Sequence, residues 1–152
     1  MQMLVYTDSS GCMSASVKKR FLINQGFQRF LSAAGRTARE FKDDPAGLRT
    51  LSRFCLKASP SQPIGIFAVA DILALRVLRA LSGTSLQVGR DVMLIGYDDL
   101  DMMSEITQAL TTLHQPFREE GRLAARKLIH MINGGQESSV SIPPRLVIRE
   151  SA

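Results

Sequence analysis

The sequence predicts an α/β fold in which a parallel sheet is flanked by helices. Short apolar runs alternate along the chain with segments whose apolar residues recur at helical spacing. Two of these runs, Ile64–Ala70 and Val92–Tyr97, are apolar almost throughout, which is typical of strands buried on both faces of a parallel sheet. Strands that alternate with helices indicate right-handed crossovers and helices on both faces of the sheet.

The first part of the chain predicts two strand–helix pairs. Met3–Tyr6 is an apolar run followed by turn residues, and the apolar spacing over Ser14–Ala34 predicts a helix that ends at Gly35. Arg36–Phe41 predicts a short strand. A second helix is expected after Asp44, because a carboxylate N-cap there precedes proline in the first helical turn.

The remaining elements follow the two buried strands. Asp71 is the expected N-cap of a helix, and a short helix is expected after the polar turn Asp98–Asp101. Pro116 opens the last helix, which the Asn-Gly-Gly sequence ends. The predicted helices are Ile72–Leu81 and 116–132, and the predicted strands are Leu110–Leu113, Ser139–Ile142 and Arg145–Ile148.

The composition fits a globular domain with a substantial core. The chain has 152 residues, of which 45% are hydrophobic, and a net charge of +5. Apart from the cluster Lys18–Arg20, its cations are scattered among carboxylates, which favours a solvated basic surface over a DNA-binding face. The N-terminus lacks the features of a signal peptide, and no apolar run approaches the ~18 residues of a membrane span. We therefore expect a cytoplasmic protein with no membrane partner, in which Cys12 and Cys55 are free thiols.

Motifs for catalysis or cofactor binding are not found in the sequence. The turn after the first strand, TDSSGCMS, holds one glycine, and no glycine-rich phosphate loop occurs. Asp98, Asp99 and Asp101 lack the acidic and lysine partners of a magnesium-dependent phosphate-receiver site, so a ligand-binding or solvated turn is preferred. His114 and His130 have no nucleophile motif nearby and are interpreted as structural or surface residues. We expect no enzyme activity, no cofactor and no bound metal.

The fold class by itself locates a ligand site. In open parallel sheets, ligands bind outside the carboxyl ends of the strands. Three segments follow predicted strands at that edge, namely Thr7–Ser14, Ala70–Asp71 and Asp98–Asp101. This rule predicts the place of a site without identifying its ligand.

Three stretches resemble the lactose/galactose-repressor family of transcriptional regulators. PIGIFAVADILALRVLRALSGTSLQVGRDVMLIGYDD (Pro63–Asp99) is similar to the family's apolar strand, its helix ending in Leu-Arg-Ala-Leu, and its Gly-Phe/Tyr-Asp-Asp sequence. ALTTLHQPFREEGRLAARKLI (Ala109–Ile129) resembles the family's PLTTVxQP segment, and IPPRLVIRESA (Ile142–Ala152) its usual ending. The spacing between the three stretches also agrees, and Met3–Ala34 shows a more moderate similarity.

The resemblance implies a type I periplasmic-binding-protein-like fold, with two α/β subdomains and an effector cleft between them. Residues 1–113 would form the C-terminal effector-binding subdomain. Residues 114–142 would be the crossover and a return helix that normally packs in the N-terminal subdomain, and 143–152 the C-terminal strand and tail. Ile72–Leu81 and Asp99–Met103 fall where family members pair as homodimers. Operator DNA would be bound through a helix-turn-helix headpiece that is absent from this chain.

The same resemblance places candidate ligand contacts. Asp98 and Gln115 match a carboxylate and a polar residue of the family's cleft. Two positions depart from the family, because Ala70 replaces an asparagine and Ile23 replaces an arginine; Arg20, one helical turn earlier, offers a guanidinium in its place. These departures remove an amide and a five-donor side chain. The expected ligand-binding residues are Asp98, Gln115, Ala70, Asp71, Arg20 and Ile23.

The function implied is effector sensing by a repressor, with a small polar metabolite, a sugar or a sugar-like molecule, controlling DNA binding. Two alternatives remain open at this point. A periplasmic-type sugar-binding protein of the same fold would carry a secretion signal. An enzyme on a doubly wound α/β sheet would carry a nucleophile–base pair or a phosphate loop.

Overall fold

The structure is a computed structural model that describes the backbone of residues 2–8 and 15–152 and the side chains of 2–7 and 23–152. Within this part of the chain, six strands form one sheet in the order β2-β1-β3-β4-β5-β6, parallel except for β6, which runs antiparallel to β5. The predicted parallel sheet is therefore confirmed, with one antiparallel edge strand. The strands are β1 (Gln2–Asp8), β2 (Ala38–Asp43), β3 (Ile64–Ala68), β4 (Val92–Asp98), β5 (Thr111–His114) and β6 (Arg145–Val147).

Helices cover both faces of this sheet. The described helices are α1 (Ala15–Ala33), α2 (Pro45–Cys55), α3 (Asp71–Leu81), α4 (Phe117–Ile132) and a short 3-10 helix (Asp101–Ser104). Phe67 of β3 stacks on Phe27 of α1, whereas Gly96 of β4 faces Asp71 of α3. Phe67 pairs with Ile95, the residue before Gly96, and neighbouring residues of a strand point to opposite faces. Thus α1 and α3 lie on opposite faces of the sheet.

The core lies where α2 and α3 pack on the sheet. All five residues of β3 are buried, which confirms the strand predicted from its uninterrupted apolar sequence. Helix α2 begins as predicted, since the Asp44 carboxylate accepts a 2.7 Å hydrogen bond from the Gly47 backbone N–H and Pro45 is the first helical residue.

Two local predictions are wrong. Ser139–Ile142 is not a strand, because no described segment pairs with it; the segment is irregular and lies along α4. Asp71 is not the N-cap of α3. Ala70 holds that position without a side-chain hydrogen bond, and Asp71 is the first helical residue, with its carboxyl group buried against β4 and β5.

Helix α4 stands apart from the core. None of its residues is buried, and Ile132 is 74% exposed. Leu123 is half-buried beside Val140 and Ile142, while Leu128 and Met131 are exposed. The apolar face of α4 is therefore open in the part of the chain that the structure describes. None of the helices in the described part has the length and hydropathy that crossing a membrane requires.

Candidate functional site

An open cavity lies at the carboxyl ends of β4 and β5. Asp98 and His114 are paired in register at the ends of these strands, so the residues that follow them surround the same space. The cavity has a volume of about 560 Å³. Its lining residues are Asp98, Asp99, Asp101, His114, Gln115, Pro116, Phe117, Arg118, Glu119 and Arg122.

The turn at the end of β4 has an unusual backbone. Asp98 has a φ of 121° and Asp99 a φ of 57°, the left-handed region that side-chain-bearing residues seldom occupy. Such conformations cost on the order of 1–3 kcal/mol each and persist where the surroundings hold them in place. Two consecutive residues of this kind, at the mouth of a cavity, indicate that the tertiary structure fixes the direction of the Asp98 side chain.

Asp99 is held by two cationic or polar side chains from distant parts of the sequence. Nη2 of Arg149 donates to its Oδ1 at 2.7 Å, and Nδ1 of His114 lies 2.9 Å from its Oδ2. Burial raises the pKa of the Asp99 carboxyl, but the hydrogen bonds from Arg149 and His114 outweigh burial, so the pKa lies below its usual value. Asp99 is therefore an anchored carboxylate that faces the chain's own residues.

Asp71 fixes the other side of the same turn. Its Oδ1 accepts a 2.6 Å hydrogen bond from the Thr112 hydroxyl, and its Oδ2 accepts a 2.9 Å bond from the backbone N–H of Leu100. Gly96 makes room for this carboxylate, because a Cβ there would lie 2.2 Å from Oδ1. Burial raises the pKa of Asp71, which the two hydrogen bonds partly offset and the nearby charge of Asp98 reinforces.

The C-terminal tail forms part of this framework. Ser151 is fully buried, and its hydroxyl donates to the Leu94 carbonyl at 2.6 Å and accepts from the Thr111 N–H at 2.8 Å. The Leu94 N–H in turn donates to the Ser151 carbonyl. The tail thus lies between β4 and β5 and carries Arg149 to the turn after β4.

Gln115 supplies another polar side chain to the lining of the cavity. Its Nε2 donates to both carboxylate oxygens of Glu120 at 3.0 Å, which fixes the direction of the amide. Its Oε1 is buried and has no hydrogen-bond partner. A buried acceptor without a donor is costly, and a ligand donor that reached it would remove that cost.

The comparisons with known proteins identify the family. A family model described as a periplasmic binding protein-like domain matches residues 13–152. The chain belongs to this family. Its six-stranded, mostly parallel sheet with flanking helices is the fold that this membership implies.

Relatives of this periplasmic-binding-protein-like domain are transcriptional repressors. The ribose operon repressor of Escherichia coli strain K12 is 40% identical over 99 residues, which cover 64% of this chain and 30% of the repressor. The HTH-type transcriptional repressor PurR of Escherichia coli O139:H28 is 35% identical over 108 residues, covering 70% of this chain and 31% of PurR. The matches thus span about a third of the length of these curated relatives.

A solved structure shows the same fold. The lac repressor dimer bound to operator and the anti-inducer ONPF superposes with a TM-score of 0.76 at 23% identity, over 99% of this chain and 52% of the repressor chain. The resemblance to the lactose/galactose-repressor family found in the sequence is confirmed by these matches. The curated relatives are repressors and not enzymes, which supports a non-enzymatic function at the level of the family.

The periplasmic-binding-protein-like fold brings together some of the residues predicted from the sequence. Asp98 and Gln115 line the same cavity. Ala70 and Asp71 are not among its lining residues and are 1% and 0% exposed, and Ile23 is half-buried against the hydrophobic core. Arg20 lies in α1, and its side chain is outside the described residues.

Sequence reasoning missed the group formed by Asp99, His114 and Arg149. From the sequence, Asp99 is expected in an acidic turn and at a dimer contact, and His114 is interpreted as a structural or surface residue. His114 and Asp99 are 15 residues apart and Arg149 is 50 residues from Asp99, so no local spacing connects them. The only signal was their position, one in each of the three stretches that resemble the family.

Other reactive side chains lie outside the cavity. Cys55 is a free, buried thiol, and burial raises its pKa to about 11, while Cys12 lies outside the described residues. His130 contacts Glu137 at 2.7 Å near the end of α4. In the part of the chain that the structure describes, no group of three or more His, Cys, Asp or Glu side chains is placed to hold a metal ion.

Proposed function

We propose that this chain is the effector-binding region of a repressor of the lactose/galactose-repressor type. It recognises a small polar metabolite at the cavity between Asp98 and Gln115, and it makes or breaks no bond. The observation that carries the proposal is the placement of these two side chains on one open cavity beyond the carboxyl ends of β4 and β5.

The polar groups of the cavity favour a ligand rich in hydroxyl groups. A carboxylate such as Asp98 is an acceptor when ionised, and Oε1 of Gln115 is a second acceptor. Two acceptors among the lining residues of one cavity suit a molecule with several donors, such as a sugar or a sugar-like compound. The name of the ribose operon repressor supports ribose as the first ligand to test.

The other residues expected at the site support it without donating side-chain hydrogen bonds to the ligand, apart from Arg20. Ala70 and Asp71 are buried next to the end of β3, and Asp71 acts on the site through the Leu100 backbone rather than by touching the ligand. Ile23 and Arg20 on α1 would border the site from the other side. Ala70 and Ile23 supply no hydrogen bonds of their own, so the ligand depends strongly on Asp98 and Gln115.

The chain divides into three parts that belong to a larger regulator. Residues 1–113 form the effector-binding subdomain, 114–142 the crossover and return helix, and 143–152 the C-terminal strand and tail. The regulator works as a cytoplasmic homodimer and binds operator DNA through a headpiece outside this chain. The names of two relatives, an operon repressor and an HTH-type transcriptional repressor, support the DNA-binding part of this proposal. Ligand binding shifts the population between two conformations that differ in DNA affinity.

The direct test is calorimetric titration of the chain with ribose and a panel of other pentoses and hexoses, with and without the substitution Asp98→Asn. Losing one hydrogen bond to a charged group costs about 1.5–3 kcal/mol, so the affinity of the ligand found should fall by roughly 10- to 150-fold. Glu105→Gln is the matched control, because Glu105 is exposed and is not among the lining residues of the cavity. Equal affinities of the Asp98→Asn variant and the unsubstituted chain would contradict the proposed site.

A further inference from the structure

The last four residues of the chain are bound into the sheet beside the cavity. The Ser151 hydroxyl bridges the Leu94 carbonyl and the Thr111 N–H, and the Ser151 N–H donates to the Ala109 carbonyl. The tail passes close to Gly89, because a Cβ at Gly89 would lie 2.2 Å from the Glu150 carbonyl oxygen. These contacts hold the backbone around Arg149 independently of the contacts of its side chain.

The Arg149 guanidinium joins two parts of the chain. Nη1 donates to the Leu110 carbonyl at 2.8 Å, and Nη2 donates to Oδ1 of Asp99 at 2.7 Å. The Thr111 hydroxyl accepts from the Arg149 N–H at 2.9 Å, which holds the same residue from its backbone. The side chains of Arg149 and Asp99 are only 20% and 14% exposed, so water competes weakly for this pair.

The contact of Arg149 with Asp99 also restrains the preceding residue, Asp98. Both the φ of Asp99 and that of Asp98 are in the left-handed region, a strained conformation that persists where the surroundings hold it. A fixed Asp99 restrains the peptide that joins the two residues, and this restrains the backbone of Asp98, a carboxylate that lines the cavity.

We infer that Arg149 is a positioning residue for ligand recognition, which acts through Asp99 to hold the turn that presents Asp98. The inference rests on the proposed function, because it takes Asp98 as the ligand contact. It adds to that function a role for the C-terminal tail. The tail lines no part of the cavity and acts on it through the contact of Arg149 with Asp99.

The chemistry of arginine accounts for this position. A planar guanidinium donates to two acceptors in different directions at once, here a carbonyl and a carboxylate. A lysine keeps the positive charge but is a compact donor that cannot reproduce this fork. Arg149→Lys should therefore restore part of what Arg149→Gln loses.

The test compares Arg149→Gln, Arg149→Lys and the control Arg145→Gln, an exposed arginine of the neighbouring strand β6. Amide hydrogen exchange by NMR reports on Leu100 of the turn, whose N–H donates to the Asp71 carboxylate, and on Phe67 in the central strand β3. Carbon-13 NMR gives the pKa of Asp99, and titration with ribose gives the affinity.

Arg149→Gln should speed Leu100 exchange about tenfold, as loss of one charge-assisted hydrogen bond predicts, while Phe67 exchange stays unchanged. The pKa of Asp99 should rise toward its usual value, ribose should bind about tenfold more weakly, and Arg149→Lys should lie between the two. Arg145→Gln should match the unsubstituted chain in every measurement.

Unchanged Leu100 exchange and an unchanged Asp99 pKa in Arg149→Gln would overturn the inference. Equal acceleration of Leu100 and Phe67 would also overturn it, because Arg149 would then support the whole fold. If the unsubstituted chain binds none of the sugars, the proposed function fails, and the exchange and Asp99 measurements still decide whether Arg149 holds the turn.

Discussion

The hydroxyl of Thr112 donates a 2.6 Å hydrogen bond to Oδ1 of Asp71, inside the protein and 41 residues away in the sequence. This bond joins β5 to the first residue of α3, and the other oxygen of Asp71 holds the Leu100 N–H. The carboxylate therefore connects a helix, a strand and the turn that carries Asp98. Because Asp71 is fully buried, each of these bonds replaces one that water would supply in the unfolded chain.

Thr112→Val should destabilise the fold by about 1–3 kcal/mol, because an isosteric methyl leaves Oδ1 of Asp71 buried without its donor. The pKa of Asp71 should rise further, since the Thr112 hydrogen bond lowers it. Urea unfolding measures the first effect and carbon-13 NMR of the carboxyl the second. The exposed Thr37→Val serves as the control; equal stability of the two variants would show that the Asp71 contact contributes little.

Gly96→Ala should destabilise the fold by about 1–3 kcal/mol through overpacking. The new Cβ would lie 2.2 Å from Oδ1 of Asp71 and 2.9 Å from Cδ2 of Leu110, so the buried carboxylate must move. Gly26→Ala in α1 is the matched control, with nothing within 4 Å of its Cβ, and should be neutral or stabilise by up to about 1 kcal/mol. Thermal unfolding distinguishes the two, and a stable Gly96→Ala variant would contradict the close approach.

Asp99 should make the stability depend on pH in the acid range. Its folded-state pKa lies below the unfolded value, so the folded protein binds fewer protons and the ionised carboxyl stabilises the fold. This contribution is present above the unfolded pKa of about 3.9 and is lost as pH falls through the folded value.

The comparison of Asp99→Asn with Asp101→Asn checks this sign. Urea unfolding at several pH values should show a shallower acid loss of stability in Asp99→Asn than in the unsubstituted chain. Asp101 is exposed, so its variant should keep the original slope. Parallel curves for all three proteins would rule out the Asp99 contribution.

Substitutions on the apolar face of α4 should hardly change the stability of this chain. Leu128 and Ile132 are 58% and 74% exposed, and surface changes away from packing usually stay within about 0.5 kcal/mol. Leu128→Ser and Ile132→Ser should follow that rule in urea unfolding. Leu94→Ala is the contrast, because this fully buried leucine of β4 should cost about 2–5 kcal/mol. A large loss in either α4 variant would mean that α4 is packed in solution.

The sequence by itself determined most of the elements and the edge of the sheet at which a ligand site is expected. The apolar strand β3, the cap at Asp44 and the helical spacing of α2 depend on neighbours within a few residues, so a local pattern suffices. The alternation of these elements then implied the parallel sheet, and with it the common edge where Asp98 and Gln115 lie.

The tertiary structure alone decided what the polar side chains do. Asp71 has the sequence context of a cap, yet Gly96 and Thr112 offer its carboxylate a buried place with a donor. Ser139–Ile142 has a strand-like sequence, but a strand requires a hydrogen-bonding neighbour, and the described chain provides none there. Arg149 reaches Asp99 across 50 residues. Such contacts depend on which elements become neighbours in space, and that information is not contained in any local run of residues.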